Sequence, residues 1–279
     1  MPHTFTALTI DIVGSRKYQT QDRKTIQRHF DVCTEYLNNR FQSAMAKKVI
    51  VSAGDELQGL FLSPQAAILY YRLFVLLTLP IKTRAGIGCG NWDTISPGEN
   101  SFAQDGTAYH YAREAIESVN DKDRHLLFLS HSNVDQCVNK ILQESFNIFT
   151  DLKTYNREIL FLTELLSPIK IESTQVGDYG KILEIISDWQ KTPLYGHEIL
   201  KMNFNNQLLY DSLSKNPIVP ENCQNFYVTE GRPKNLSALM GDILGISRQA
   251  VEKKYKTCRI TEERNSIIVV SNYLQKVFL

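Results

Sequence analysis

The sequence predicts an α+β fold, in which a ferredoxin-like βαββαβ domain is followed by a mostly helical region with a C-terminal helix-turn-helix. Three patterns support this prediction. A β-branched run ends at a glycine, two further runs flank a Gly-Asp-Glu turn, and a glycine separates two helical segments near the C-terminus. From these patterns we place the domain boundaries at residues 1–130, 131–220 and 221–279.

The first strand and the first helix differ in the period of their apolar residues. Residues 5–13 are apolar or β-branched at nearly every position before Asp11, which is typical of a central strand buried on both faces. Residues 21–45 instead repeat apolar side chains every three or four positions, which predicts an amphipathic helix. The repeating residues are Ile26, Phe30, Cys33, Leu37 and Phe41.

The following elements complete the βαββαβ order. Two apolar runs lie three residues apart, and the Gly54-Asp55 turn between them predicts a hairpin. Ser63 and Pro64 are typical of the N-cap and the first residue of a helix, which we expect to end before Pro80. The hairpin strands are predicted at 48–53 and 57–62, a fourth strand at 82–89, a further helix at 107–119 and a last strand at 126–130.

Composition limits the classes of function. A formal net charge of +1 and a pI near 7.6 do not suit a chain built as a whole for nucleic acid or an anionic membrane, although a local basic face remains open. The five cysteines are widely spaced without a CxxC pair, which favours reduced thiols over a disulfide framework or a zinc site. Because no signal peptide precedes the first strand and the longest apolar run contains Arg72, we expect a cytoplasmic protein without membrane insertion.

Two carboxylates are candidates for a metal site. Asp11 lies near the end of a buried strand, where a carboxylate is costly unless it is paired or bound to a metal. Asp55 lies at the tip of the hairpin that we expect beside that strand, with Glu56 as a candidate third ligand. Oxygen ligands of this kind suit magnesium or manganese, and Gly54 allows a phosphate to approach the backbone. The alternative is structural: an ordinary hairpin turn and a strand-terminal cap.

Four segments resemble the catalytic core of class III nucleotide cyclases and related palm domains, which include the GGDEF diguanylate cyclases and minimal CRISPR-type polymerases. The segments are DIVGSR (11–16), GDELQGLF (54–61), RAGIGCG (84–90) and DGTAYHYAREAIE (105–117). Followed by a helix-turn-helix, the set resembles the SatD family of bacterial proteins in the order of elements over nearly the whole chain. The resemblance is specific as a combination of motifs.

The resemblance implies a two-metal site that acts on nucleoside triphosphates. Asp11 and Asp55 would bridge two Mg²⁺ or Mn²⁺ ions with the Ile12 carbonyl as a further ligand, and the metals would activate a 3′-hydroxyl and stabilise the leaving pyrophosphate. Arg113 matches the catalytic arginine of the cyclases. We expect the nucleotide to contact Gly14, Ser15, Arg16, Gly54, Arg84 and Tyr109. For Arg84 the alternative is a solvated strand end. A homodimer is also implied, because these cyclases usually form their site across two subunits.

The chain departs from the cyclase pattern at Tyr109, where cyclases carry an asparagine four residues before the arginine. The hairpin also matches the diguanylate-type Gly-Asp-Glu better than the cyclase pattern. Two functions therefore stay open. One is a metal-dependent cyclase or nucleotidyltransferase that makes a cyclic or oligomeric nucleotide signal. The other is a transcriptional regulator that senses a nucleotide without turning it over.

The C-terminal segment 236–256 has the pattern of a helix-turn-helix. Gly245 suits the left-handed turn, and Ser247 suits the N-cap of the second helix. Arg248 and Gln249 would then reach base edges, and the basic residues after them would contact DNA phosphates. Those basic residues are Lys253 and Lys254. The alternative is a motif used only for packing or dimerisation. Segment 182–213 is a candidate for a degenerate second copy.

Overall fold

The computed structural model describes residues 4–94, 104–119, 125–150, 154–174, 178–195, 205–213, 217–223, 229 and 231–278. Over these residues the fold is α+β, with a five-stranded mixed sheet and a helical C-terminal region. The strands of the sheet are β1 (Phe5–Ile12), β2 (Met45–Ala53), β3 (Glu56–Phe61), β4 (Thr83–Gly90) and β7 (Leu126–Leu129). Two short strands, β5 (Asp93–Thr94) and β6 (Gln104–Asp105), pair separately.

The strand order is β2-β3-β1-β4-β7. Strand β1 is central and pairs antiparallel with both β3 and β4, while β7 pairs parallel with β4. The helices between these strands are α1 (Thr20–Arg40), α2 (Pro64–Thr78) and α3 (Thr107–Ser118). The predicted succession of strands and helices is therefore present, and it brings the end of β1 beside the start of β3.

The first helix is shorter, and the second strand longer, than the apolar periodicity predicts. The helix α1 ends at Arg40 rather than near residue 45, and a short 3₁₀ turn follows. The strand β2 starts at Met45, where it already pairs with Phe61 of β3 through an irregular, bulged register. Met45, which the helical period would have included in α1, therefore belongs to the sheet instead.

The two faces of the sheet are covered differently. Alternate residues of β1, such as Leu8 and Ile10, face α1 and α2 in the main hydrophobic core. The opposite residues of β1, such as Ala7, face α3 in a small second cluster. On this side a Cβ at Gly86 or Gly88 would lie 2.2 or 2.1 Å from a carbonyl oxygen of α3, so the helix lies directly on the backbone of β4.

Seven further helices follow in the described part of the chain. They are α4 (Asp135–Thr150), α5 (Thr154–Leu166), α6 (Tyr179–Gln190), α7 (Asn206–Ser212), α8 (Leu236–Leu244), α9 (Arg248–Thr257) and α10 (Ile260–Phe278). The buried residues of these helices and those of the sheet form one continuous hydrophobic core. No helix among the described residues is both long and apolar enough to cross a membrane.

A buried cluster of four charged residues connects α2 to this helical region. Arg72 donates through Nε and Nη2 to the two carboxylate oxygens of Glu263, each at 2.7 Å. Glu164 accepts from Arg72 at 3.0 Å and also from Arg264. These side chains are at most 4% exposed. We call Arg72, Glu164, Glu263 and Arg264 the buried cluster.

Candidate functional site

The site is built where β1, β3 and β4 meet at one end of the sheet. Asp11 lies directly opposite Arg84 in the β1–β4 register. Arg84 donates to the Oδ2 atom of Asp11 from Nε at 2.9 Å and from Nη2 at 2.6 Å. The side chain of Asp11 is 21% exposed and that of Arg84 is 32% exposed, so the pair is accessible to water. The predicted metal ligand Asp11 is therefore paired with an arginine.

Glu56 lies on the other side of Asp11. Since Ile10 of β1 pairs with Leu57 of β3, the next position of that register brings Glu56 beside Asp11. Arg113 of α3 donates from Nη1 to Oε2 of Glu56 at 2.9 Å and from Nη2 to Oε1 at 3.1 Å. Ser52 also donates to Oε1 at 2.8 Å. We call Arg113, Glu56, Asp11 and Arg84 the charged row.

Asp55 lies in the turn next to the charged row. Gly54 before it adopts φ +63°, a left-handed conformation that glycine tolerates, and a Cβ there would meet open space. Asp55 is half-buried. Among the described residues it forms no side-chain hydrogen bond or ion pair. Its carboxylate is thus available to a ligand without the loss of a contact to another described residue.

The segment 13–17 after β1 leaves the sheet beside the charged row. Gly14 adopts φ +69°, and Ser15 begins a 3₁₀ turn in which the Lys17 amide donates to the Gly14 carbonyl at 2.9 Å. Arg16 is exposed in this turn. The segment therefore presents backbone and a basic side chain at the same end of the sheet as Asp11.

Tyr109 lies one helical turn before Arg113 but in a different environment. It is 8% exposed and packs in the small cluster with Ala7 and Leu60 between α3 and the sheet. Burial raises the pKa of its hydroxyl to about 12. The structure thus places Arg113 in the charged row and Tyr109 in the core that positions α3.

Two polar residues of this region escaped the sequence analysis. Ser52 donates to Glu56 across the hairpin. This contact could have been predicted, because the two-residue turn pairs Ala53 with Glu56 and so brings Ser52 near Glu56. Thr9 is fully buried on the same face as Asp11, and its hydroxyl has no hydrogen-bond partner among the residues that the structure describes. Strand alternation places residues 9 and 11 together, but no sequence pattern reveals an unsatisfied hydroxyl.

The side chains fit a divalent cation only in part. Among the described residues no three His, Cys, Asp or Glu side chains are grouped so as to hold a metal ion. Glu56 already accepts three hydrogen bonds, and Asp11 shares one oxygen with Arg84. Asp55 and the second oxygen of Asp11 have the donor chemistry that magnesium or manganese takes, together with a backbone carbonyl such as that of Ile12.

The predicted DNA-contacting residues lie on α9. Gly245 adopts φ +64° after α8, and the Ser247 hydroxyl accepts from the Ala250 amide at 3.2 Å at the start of α9. Arg248, Gln249 and Lys253 are exposed, and Lys254 is half-buried. The opposite side of α9 is buried through Val251 and Tyr255. Segment 182–213 lies partly outside the described residues.

Comparisons with known proteins complete this picture. No curated protein matches the sequence. A solved structure described as a bacterial light-regulated adenylyl cyclase is similar at 18% identity, with a TM-score of 0.32, over 45% of this chain and 42% of that protein. The family model described as the SatD family matches residues 5–173, which include β1 to β7 and the whole charged row. The chain belongs to the SatD family.

Proposed function

We propose that this protein is a metal-dependent nucleotide cyclase or nucleotidyltransferase that acts on a nucleoside triphosphate and releases pyrophosphate. The product would be a cyclic or oligomeric nucleotide signal. In this proposal residues 1–130 are a palm-type domain, residues 131–220 a helical region and residues 221–279 a helix-turn-helix domain. The protein would act in the cytoplasm as a homodimer.

One observation carries the proposal. Asp11 at the end of β1 and Asp55 in the turn before β3 lie at the same end of two adjacent strands, with Arg84 and Arg113 beside them. Carboxylates and guanidiniums at one place suit a ligand that contains both a dication and a polyphosphate. The matching motifs of the palm domains support the same assignment.

Each residue then has a role that follows from its position. Asp11, Asp55 and the Ile12 carbonyl would hold the cation, and Arg84 and Arg113 would contact phosphate oxygens. Magnesium or manganese held there would supply charge for the triphosphate and lower the pKa of the attacking hydroxyl. The Gly14, Ser15 and Arg16 segment would lie against the phosphates. Glu56 would position Arg113 rather than bind metal, because its oxygens are already occupied.

The test is incubation of the pure protein with ATP, GTP, CTP or UTP and Mg²⁺ or Mn²⁺, with products identified by mass spectrometry. We expect a metal-dependent nucleotide product that is lost in Asp11→Asn and Asp55→Asn. Lys140→Gln is a matched control, because it removes an exposed ion pair on α4. Full activity of Asp55→Asn would contradict the metal-binding role of that residue.

A second candidate function is DNA binding by a nucleotide-sensing regulator. The observation in its favour is that Arg248 and Gln249, the first two residues of α9, are exposed directly after the N-cap Ser247. Recognition helices contact base edges from this end. The phosphate contacts would come from Lys253 and Lys254, and they would make the affinity fall steeply with salt.

The measurement is DNA binding at about 50 mM salt, with and without nucleoside triphosphate. We expect binding that weakens in Arg248→Ala with Gln249→Ala and keeps its dependence on nucleotide. Lys140→Gln is again the control, here for a general loss of positive charge. No binding at this salt concentration, together with a nucleotide product in the first test, would leave the enzyme as the function.

A further inference from the structure

The last helix of the described chain presents apolar side chains to solvent along one side. On α10, Val269 is 37% exposed, Tyr273 is 38% exposed and Val277 is 42% exposed. Because these residues are four positions apart, they lie on successive turns of the same side of the helix. Single exposed apolar residues are ordinary on a protein surface, whereas a contiguous run is typical of an interaction surface.

Three further residues complete this exposed side of α10. Glu262 and Lys276 are exposed, and Ser266 is half-buried. From Glu262 to Lys276 the positions follow each other at intervals of four, three, four and three, which is the heptad spacing that keeps one side of a helix against a partner helix. We call Glu262, Ser266, Val269, Tyr273, Lys276 and Val277 the α10 stripe.

The other sides of α10 are engaged within the protein. Ile267 and Leu274 enter the main core, and Glu263 belongs to the buried cluster. Along one flank of the stripe, Asn265 accepts from the Gly231 amide at 2.9 Å and Asn272 donates to the Cys223 carbonyl at 3.3 Å. The stripe is therefore a bounded surface on a helix that the core holds in place.

The charges at the two ends of the stripe are complementary to each other. Glu262 and Lys276 each lie seven residues from Val269, which is about 10.5 Å along the helix axis. In an antiparallel pair of α10 helices centred on Val269, Lys276 of each copy would therefore lie opposite Glu262 of the other. A parallel pair would place like charges opposite each other at both ends, so the charges favour the antiparallel arrangement.

The side chains between the two ends suit the same arrangement. Tyr273 lies about 6 Å along the axis on one side of Val269, and Ser266 lies about 4.5 Å away on the other side. The large ring of one copy would therefore lie over the small Ser266 of the other, and the two Val269 side chains would meet at the symmetry axis. A twofold dimer requires a self-complementary surface of this kind.

We propose that the α10 stripe is a dimerisation surface and that its partner is a second copy of this chain, with the two α10 helices antiparallel. Six residues on each side are fewer than the roughly 20–30 of a standard interface, so the dimer is weak and depends on protein concentration. The stripe contains no residue of the charged row, so this contact differs from the site-forming dimer that the cyclase resemblance implies. The inference does not depend on the proposed catalysis.

The first test is sedimentation velocity of the full chain from micromolar to near-millimolar concentration. We expect a reversible monomer–dimer equilibrium for the wild type and only monomer for Val269→Glu, which places two carboxylates together at the symmetry axis. Val32→Glu is the matched control and should dimerise as the wild type does, because Val32 is also exposed on a helix, at 40%. A wild-type protein that stays monomeric throughout, or a dimer that Val269→Glu leaves intact, would overturn the inference.

The orientation of the two helices is tested by charge reversal. Lys276→Glu should raise the dissociation constant of the dimer about tenfold, because two exposed ion pairs are replaced by two like-charge contacts. Adding Glu262→Lys to Lys276→Glu should restore the wild-type affinity, since the exchanged charges attract again. Circular dichroism checks that each variant keeps its helix content. A double variant that is helical but as weakly associated as Lys276→Glu would overturn the antiparallel arrangement.

The outcomes for this surface and for the proposed catalysis are separable. Loss of the dimer in Val269→Glu, together with no nucleotide product from the wild type, would refute the catalysis and leave the inference in place. A nucleotide product from a wild-type protein that is monomeric at all concentrations would remove the inference and leave the catalysis.

Discussion

The molecule contains two clusters of the same composition, each with two arginines and two carboxylates, in opposite environments. In the buried cluster the side chains are at most 4% exposed, and Arg264 also donates to the carbonyl oxygens of Gly231 and Ser167. Burial and the charge of Arg72 lower the pKa of Arg264 well below its usual range. In the charged row Arg84 and Arg113 are 32% and 52% exposed.

The difference teaches that environment decides what an ion-pair cluster can do. A buried pair must stay paired, because water cannot replace a lost partner. An exposed pair contributes little to stability and can exchange partners at small cost. We therefore expect the buried cluster to hold the fold together and the charged row to serve the ligand. Arg264→Met and Glu56→Gln test this division with the largest and the smallest expected effect, and His29 and Gly88 give intermediate effects on the two sides of the sheet.

Arg264→Met should produce the largest loss of stability. The substitution leaves Glu164 buried with half of its partners, and loss of one member of a buried ion pair costs about 3–5 kcal/mol. Urea unfolding monitored by circular dichroism gives the free energy. Arg84→Gln in the charged row is the comparison and should change the free energy of unfolding by less than about 1 kcal/mol. Equal losses in the two variants would contradict the division.

The stability of the main core should also depend on pH through His29, which lies on α1 and packs against α6. Its ring stacks on Trp189 at 3.9 Å, its Nε2 lies 2.9 Å from the Leu77 carbonyl oxygen, and burial lowers its pKa to about 4. The unfolded chain takes up this proton below about pH 6.5, while the folded protein does so only below about pH 4. Stability is therefore lost as the pH falls from about 6.5 to 4, by about 3 kcal/mol.

The measurement for His29 is urea unfolding at pH 7 and at pH 4.5 in the wild type and in His29→Gln. The variant retains a donor for the Leu77 carbonyl but does not titrate, so its stability should depend less on pH. An identical dependence on pH in the two proteins would show that other groups account for the acid response.

Gly88→Ala should act on the other side of the sheet. The added Cβ would lie 2.1 Å from the Ala108 carbonyl oxygen and 2.2 Å from the Ala112 amide nitrogen, so α3 must move away from β4. Overpacking of this kind costs about 1–3 kcal/mol. Thermal unfolding measures it, with Gly180→Ala as the control, because the nearest atom there is a side-chain oxygen at 3.2 Å. Equal unfolding temperatures would mean that α3 is not held against the backbone of β4.

Glu56→Gln should have the smallest effect. Its partner Arg113 is half-exposed, and exposed ion pairs contribute about 0–1 kcal/mol. The free energy of unfolding from urea titration should therefore stay within about 1 kcal/mol of the wild-type value. A loss as large as that of Arg264→Met would group the charged row with the buried cluster and weaken the case for partner exchange.

The sequence predicted the parts of the fold that depend on local chemistry. The Gly54-Asp55 turn and the Ser63-Pro64 helix start were identified because they depend on residues that are close in the chain. The Ser63 hydroxyl accepts from the Ala66 amide as a cap does. The end of α1 was placed too late, because pairing with β3 overrides the helical period after Arg40.

The site was predictable as a location but not as a set of pairs. The order of elements indicated that Asp11 and Asp55 would lie at one end of adjacent strands. That Arg84 lies opposite Asp11, and that Arg113 reaches Glu56, depends on strand register and on the seating of α3, which a single sequence does not determine. The roles of Asp55 as metal ligand and of Arg248 in DNA contact stay predictions.

The buried cluster has a consequence for the order in which the chain can fold during synthesis. Arg72 and Glu263 are 191 positions apart, whereas Glu164, the other partner of Arg72, is 92 positions away. The ribosome therefore releases the sheet region long before Glu263 exists. At roughly 5–20 residues per second the delay is about 10–40 s. Until then Glu164 of α5 is the carboxylate partner available to Arg72. The two hydrogen bonds that join α2 to α10 can form only after the last helix of the described chain has been made.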